Sequence, residues 1–209
     1  MPNMKLTDIT LVVDRSGSMA NCKDDAEGGI NTFIEDQKKG DGEAHLTLVH
    51  FDTEYEFVET ATPIDDVKPY KMNPRGATAL LDAVGKSVAI AKERIAAIPE
   101  NHRPGIVFFV IVTDGHENSS VEYNRGQVRK LIEEQQAAGW HILFIGASDK
   151  AFDEASSMGI HSGHVAVSAN AGAIYTANSE KIRSTRSAGV SGQSIGSQAY
   201  TSEERDQMS

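Results

Sequence analysis

Between Pro104-Gly105 and Asp114-Gly115 the chain carries seven consecutive apolar residues, Ile106 to Val112. The run is far shorter than the roughly 20 residues that cross a bilayer. Bounded by turn formers on both sides, it predicts a strand at the middle of a sheet, covered on both faces. Such strands occur mainly in parallel sheets, and parallel strands need helices to connect them.

The rest of the chain supplies those helices. Leu6 to Val13 is a β-branched run, and Ala26, Ile30, Phe33, Ile34 and Gln37 then recur at helical spacing up to Lys-Lys-Gly-Asp-Gly. His45 to Phe51 and Glu54 to Glu59, separated by Asp52 and Thr53, predict a hairpin at one edge. Thr78 precedes a long apolar stripe, Leu80 to Ile98, where its hydroxyl is expected to cap a helix that Pro99 stops. Asn118, Ser119 and Ser120 are expected to cap another, with stripe Val121, Val128, Leu131, Ile132 and Gln135. Trp140 to Ile145, a short helix from Ala151 to Met158 and a strand near His164 to Val167 complete the series. The expected fold is α/β, a doubly wound, mainly parallel central sheet with helices on both faces and one antiparallel edge hairpin.

The chain has 209 residues, 39% of them hydrophobic, which suits a single domain with a substantial core. Its net charge of -10 opposes sequence-independent binding to nucleic acid or to an anionic membrane. The lone Cys22 excludes an internal disulfide and any zinc site that needs two thiolates. The N-terminal residues lack the apolar stretch of a secretory signal, so the expected location is cytoplasmic. Residues 169–209 are charge-balanced and rich in Ser, Ala and Gly, without a sustained period. They are expected as a loosely ordered or partner-binding tail, although Thr201 or Ser202 could cap a short last helix.

Ligands of open α/β sheets bind where loops leave the carboxyl ends of the strands. Three such loops carry compact oxygen donors: Asp14 with Ser16 and Ser18, Thr78, and Asp114. Two carboxylates and three hydroxyls, with no thiolate and no obligatory imidazole, select a hard cation. Magnesium suits a small octahedral site that retains water, with Mn2+ or Ca2+ as alternatives. Arg15 and Arg75 are candidates to flank the mouth and attract acidic partners, and His116 lies beside Asp114.

Asp14-Arg15-Ser16-Gly17-Ser18-Met19, Thr78 and Thr113-Asp114-Gly115 resemble the three-part metal-ion-dependent adhesion site of von Willebrand factor type A domains. The resemblance covers about residues 5–168. In the second loop the chain has Arg75-Gly76-Ala77-Thr78 where the family often has Gly-Gly-Thr. It implies a folded domain over residues 1–168, of the stand-alone kind found in prokaryotes and phages. It also implies a metal site made by Asp14, Ser16, Ser18, Thr78 and Asp114. The function implied is capture of an Asp or Glu side chain of a protein partner through the bound metal. Two alternatives are a regulatory subunit of an ATPase or stress-response complex, and a metal-dependent hydrolase using His116 as base. No His-Glu-x-x-His, Gly-x-Ser-x-Gly or phosphate-loop motif supports catalysis, so the chain is expected not to be an enzyme.

Overall fold

The computed structural model describes residues 1–114, 116–146, 150–167, 171–196 and 198–208; Gly115 of the third loop lies outside them. In chain order the elements are β1 (Asn3–Asp14), α1 (Lys23–Lys38), β2 (Glu43–Phe51), β3 (Tyr55–Pro63), α2 (Leu80–Ala97) and β4 (Pro104–Thr113). They continue with α3 (Arg125–Ala137), β5 (His141–Gly146), α4 (Lys150–Ser157), β6 (Val165–Val167), α5 (Ala171–Val190) and α6 (Ser202–Met208). Among the described residues the strands form one sheet in the order β3-β2-β1-β4-β5-β6. All pairs are parallel except β2 with β3, the edge hairpin anticipated from sequence.

The apolar run of β4 does lie mid-sheet, and its alternate residues feed two separate cores. Ile106, Phe108, Val110 and Val112 pack with Ile30, Phe33 and Ile34 of α1 and with Tyr175 and Ile182 of α5. Phe109 and Ile111 pack on the other face with Leu80, Val84 and Val88 of α2, Val128 and Ile132 of α3, and Ala155 of α4. A strand apolar on both sides therefore needs both helical layers to leave water. No helix among the described residues is long and apolar enough to cross a membrane.

Two helix starts differ from expectation. Ala79, not Thr78, stands at the α2 cap position, and no side chain caps it. α3 begins at Arg125, where Asn124 and Gln127 form a reciprocal capping box. Val121, placed in the apolar stripe by its spacing, is 91% exposed on the loop before this helix.

The larger correction concerns residues 169–209. α5 is a 20-residue helix packed on α1, not a loose tail. A small residue of α1 permits close approach: a Cβ at Gly29 would overlap the Tyr175 ring of α5. Arg186, 1% exposed, donates to the carbonyls of Gln37 at 2.6 Å, Gly40 at 3.3 Å and Gly42 at 3.0 Å. Gln37 in turn donates to the Ser179 carbonyl at 3.1 Å. Beyond α5 the chain folds back over β6. The Tyr200 ring sits between Lys181 Nζ at 5.1 Å and the Arg205 guanidinium at 5.6 Å. Arg205 donates to the carbonyls of Val165 and Ser162, at 2.8 and 3.0 Å. Thr201 and Glu204 exchange the reciprocal bonds of a capping box at the start of α6.

Arg186→Ala removes a buried side chain together with its bonds to the Gln37, Gly40 and Gly42 carbonyls and should cost about 2–4 kcal/mol. Thermal denaturation should show a fall of roughly 5–15 °C, and limited proteolysis should then cut within α5.

His50, His141 and His164 all titrate below their ordinary range, mainly because burial disfavours the imidazolium. The unfolded chain protonates first, so their contribution to stability is complete above about pH 6.5 and is lost as pH falls through the lowered folded values. The melting temperature should drop between about pH 7.5 and about pH 5.5. His164→Asn, at a ring whose Nδ1 is buried without a hydrogen bond, should flatten part of that slope.

Candidate metal centre

β1 neighbours β2 on one side and β4 on the other, so the strand order reverses there. Parallel pairing sets Val13 opposite Val112 and brings Asp14 and Thr113 out side by side at the carboxyl edge. Thr113 Oγ1 donates to Asp14 Oδ2 at 2.6 Å. The amide of Ser16 donates to Asp14 Oδ1 at 2.7 Å, which closes the turn. Ser18 Oγ donates to Asp114 Oδ1 at 2.8 Å. The hydroxyls of Ser16 and Ser18 lie 3.0 Å apart, and with the Ser18 proton on Asp114, Ser16 is the donor between them. Asp14, Ser16, Ser18 and Asp114 thus form one connected set drawn from two loops.

Thr78 is tied through its backbone to Asn118, in the loop that follows Asp114. Its amide donates to Asn118 Oδ1 at 2.9 Å and its carbonyl accepts from the Asn118 amide at 3.1 Å. The Gly17 amide donates to the Gly76 carbonyl at 3.2 Å, so the first and second loops touch. Gly76 has φ +67, a conformation that favours glycine, and a Cβ there would stand 2.6 Å from Thr53 Oγ1.

Asp14 is fully buried. Burial pushes its carboxyl above the ordinary range, the bonds from Thr113 and Ser16 oppose this, and the charge of Asp114 adds to it. Among the described residues neither carboxylate has an ion pair with Lys or Arg. Among the described residues no three or more His, Cys, Asp or Glu side chains are grouped so that they could hold a metal ion by themselves. A buried carboxylate, a second one in a neighbouring loop joined to hydroxyls, and no thiolate make an all-oxygen donor set. The residues fit a small divalent ion.

The three partner-binding candidates are each paired within the chain. Arg15 is 5% exposed and turns away from the mouth. Its Nε donates to Asp52 at 2.8 Å and its Nη2 to Glu56 at 2.9 Å, while Nη1 lies 2.6 Å from His50 Nε2. A charged guanidinium beside two acids, one just beyond β2 and one on β3, gains more from pairing than from water. Arg75 is half-exposed but also paired, to Asp52 at 2.7 Å and Glu56 at 3.1 Å. His116 is half-exposed, with Nδ1 3.3 Å from the buried carboxylate of Glu154.

Sequence reasoning missed the acids that build the loops. Burial alone would raise the Asp52 carboxyl, but the bonds from Arg75, the Glu54 amide and Arg15 outweigh it and hold it below the ordinary range. Glu56 is drawn down to about 2, first by Arg15 and then by His50. Asp82 accepts from the amides of Val121, Glu122 and Tyr123 at 2.7–2.9 Å. Glu117 accepts from the Leu81 amide at the start of α2, at 2.8 Å, and from the amides of Ser119 and Ser120. The only sequence signal was position: Asp52 directly follows a predicted strand. Cys22 is half-buried, and burial followed by nearby acids raises its thiol, as suits an idle cysteine.

A profile of the von Willebrand factor type A domain matches residues 8–181. The chain belongs to the von Willebrand factor type A family. The match ends inside α5, so this helix is largely part of the family's matched region. Among solved structures, the domain of a type V pili tip protein from Porphyromonas gingivalis is similar at TM-score 0.62 and 13% identity, covering 91% of this chain and 97% of that one. Proximal thread matrix protein 1 from the mussel byssus, with a zinc-occupied metal-ion-dependent adhesion site, is similar at TM-score 0.56 and 16% identity, covering 93% and 48%. The manganese-loaded TRAP protein of Plasmodium vivax is similar at TM-score 0.55 and 14% identity, covering 79% and 69%. The present chain spans about half the length of the mussel protein. No curated protein matches it.

Asp82→Ala removes the acceptor for three amides in the loop that follows Asp114 and should cost about 2–4 kcal/mol. Hydrogen exchange should accelerate at Val121, Glu122 and Tyr123 more than in the strands.

Proposed function

We propose that this type A domain is a divalent-metal-dependent protein-binding module. The observation that carries the proposal is the connected set Asp14, Ser16, Ser18 and Asp114, whose buried carboxylate has no basic partner among the described residues. Asp14, Ser16, Ser18, Thr78 and Asp114 would hold the ion, Mg2+ first and Mn2+ or Ca2+ as alternatives. When bound, the metal supplies positive charge and an open coordination position for an Asp or Glu of a partner protein. The family's members are generally adhesion or interaction modules rather than enzymes. The zinc and manganese in two similar structures support metal binding here, and the pili tip protein supports an interaction role.

The chain's own residues set the character of that binding. Buried Asp14 and the neutral hydroxyls neutralise only part of a divalent charge. With Arg15 turned inward, no buried guanidinium competes for the partner's carboxylate. The net charge of -10 gives no long-range attraction for an acidic partner, so recognition is local.

Magnesium at about 100 times its Kd should stabilise the protein by about 2.7 kcal/mol. This should raise the melting temperature by roughly 5–10 °C. EDTA and Asp14→Ala should each abolish that rise and the capture of partners in a pull-down, while moderate salt changes little. Partners retained in EDTA would sink the proposal.

A further inference from the structure

Asp52 lies just beyond β2 and is 2% exposed. Its Oδ2 accepts from both arginines of the ligand-bearing loops, Arg15 Nε at 2.8 Å and Arg75 Nε at 2.7 Å. Its carbonyl accepts from the Ala79 amide at 2.7 Å. Backbone bonds lace the same loops together: the Arg75 amide donates to the Arg15 carbonyl at 2.9 Å, and the Gly17 amide to that of Gly76. None of these bonds uses a proposed ligand atom. Yet Arg15 stands between Asp14 and Ser16, and Arg75 and Ala79 bracket Thr78.

We propose that Asp52 is a positioning residue for the metal site. Through Arg15 and Arg75 it sets the spacing between the loop of Asp14, Ser16 and Ser18 and the loop of Thr78, and so sets metal affinity. The proposal rests on the metal-binding reading of the site. Magnesium demands near-octahedral oxygens at about 2.0–2.1 Å, and a site must be held within about 0.5 Å to deliver them. Two guanidinium groups converging on one oxygen repel each other, and the Asp52 charge is what holds them there. Arg15 is buried and further tied by His50 and Glu56, whereas Arg75 is half-exposed and its other partners, Glu56 at 3.1 Å and Glu54 at 3.8 Å, are themselves exposed, so Arg75 is the more weakly held arm. Losing the charge therefore loosens the side-chain tie between the two loops and leaves the backbone bonds alone to hold them.

The test compares the full chain as wild type, Asp52→Asn, Arg75→Gln and Asp8→Asn, by calorimetric titration with Mg2+ and by amide hydrogen exchange without metal. Asp52→Asn should weaken Mg2+ about tenfold or more, and Arg75→Gln about three- to tenfold. The sign for Arg75 is decisive. Removing a positive charge beside a cation site strengthens binding if charge alone acts, and weakens it if position acts. The amides of Arg75 and Gly17 should also exchange faster in Asp52→Asn.

Asp8 controls for stability. It is equally buried, pairs with Arg94 at 2.7 and 2.9 Å, and lies six residues, or about 20 Å, back along β1. Asp8→Asn should lower the melting temperature and leave the affinity within about twofold of wild type. Unchanged or tighter binding in Arg75→Gln, unchanged exchange in Asp52→Asn, or equal weakening in Asp8→Asn overturns the proposal. Should Asp52→Asn fail to fold, Arg75→Gln carries the test alone. A wild type that binds no metal overturns both this inference and the metal reading, whereas a metal-binding wild type with unaffected variants overturns only this one.

Discussion

Everything at the carboxyl edge depends on the parallel pairing of β1 with β4. Both strands are buried on both faces, and parallel register is what brings Asp14 and Thr113 out at one level. An antiparallel pair would send the first and third loops to opposite ends of the sheet, and no metal could join them. Because parallel strands cannot be joined by a tight turn, the same pairing obliges the chain to supply crossover helices. Those helices form the layers that keep the strands dry.

Acidic side chains divide into two groups around this edge. Asp52, Asp82 and Glu117 are consumed by backbone amides and arginines, and they give shape to loops that have little apolar material of their own. Among the described residues, Asp14 and Asp114 bond to hydroxyls and an amide and to no guanidinium. The difference follows from donor supply: wherever a guanidinium or several amides converge, a carboxylate is satisfied and structural. Where hydroxyls and a single amide approach, as at Asp14, the carboxylate has no basic partner among the described residues. Arg15 shows how close the two roles lie, since it sits between two proposed ligands yet sends its charge to the hairpin.

The C-terminal region extends the domain rather than trailing from it. α5 covers the same sheet face as α1, and Arg186 ties it to the turn after α1 through carbonyls instead of an acid. This buried cation is tolerated because carbonyl dipoles surround it, although burial lowers its affinity for the proton.

Local patterns in the sequence determined the elements and three loops of the site. The apolar run of β4, the stripes of α1 and α2, the hairpin at Asp52-Thr53 and the order Asp14, Ser16, Ser18, Thr78, Asp114 depend on neighbours a few residues apart, so they are legible without a fold. Tertiary structure alone decided the directions of Arg15 and Arg75, the acids that hold the loops, and the docking of α5. Arg15 and Asp52 are 37 residues apart, and Arg186 and Gln37 are 149 apart. No local period records such pairs. α5 was obscured for a further reason: its Ala, Ser and Gly residues bury little area each, so the helix shows no strong apolar stripe. Its stability comes from backbone approach and shape at the α1 interface, which exist only once the sheet has placed the two helices side by side.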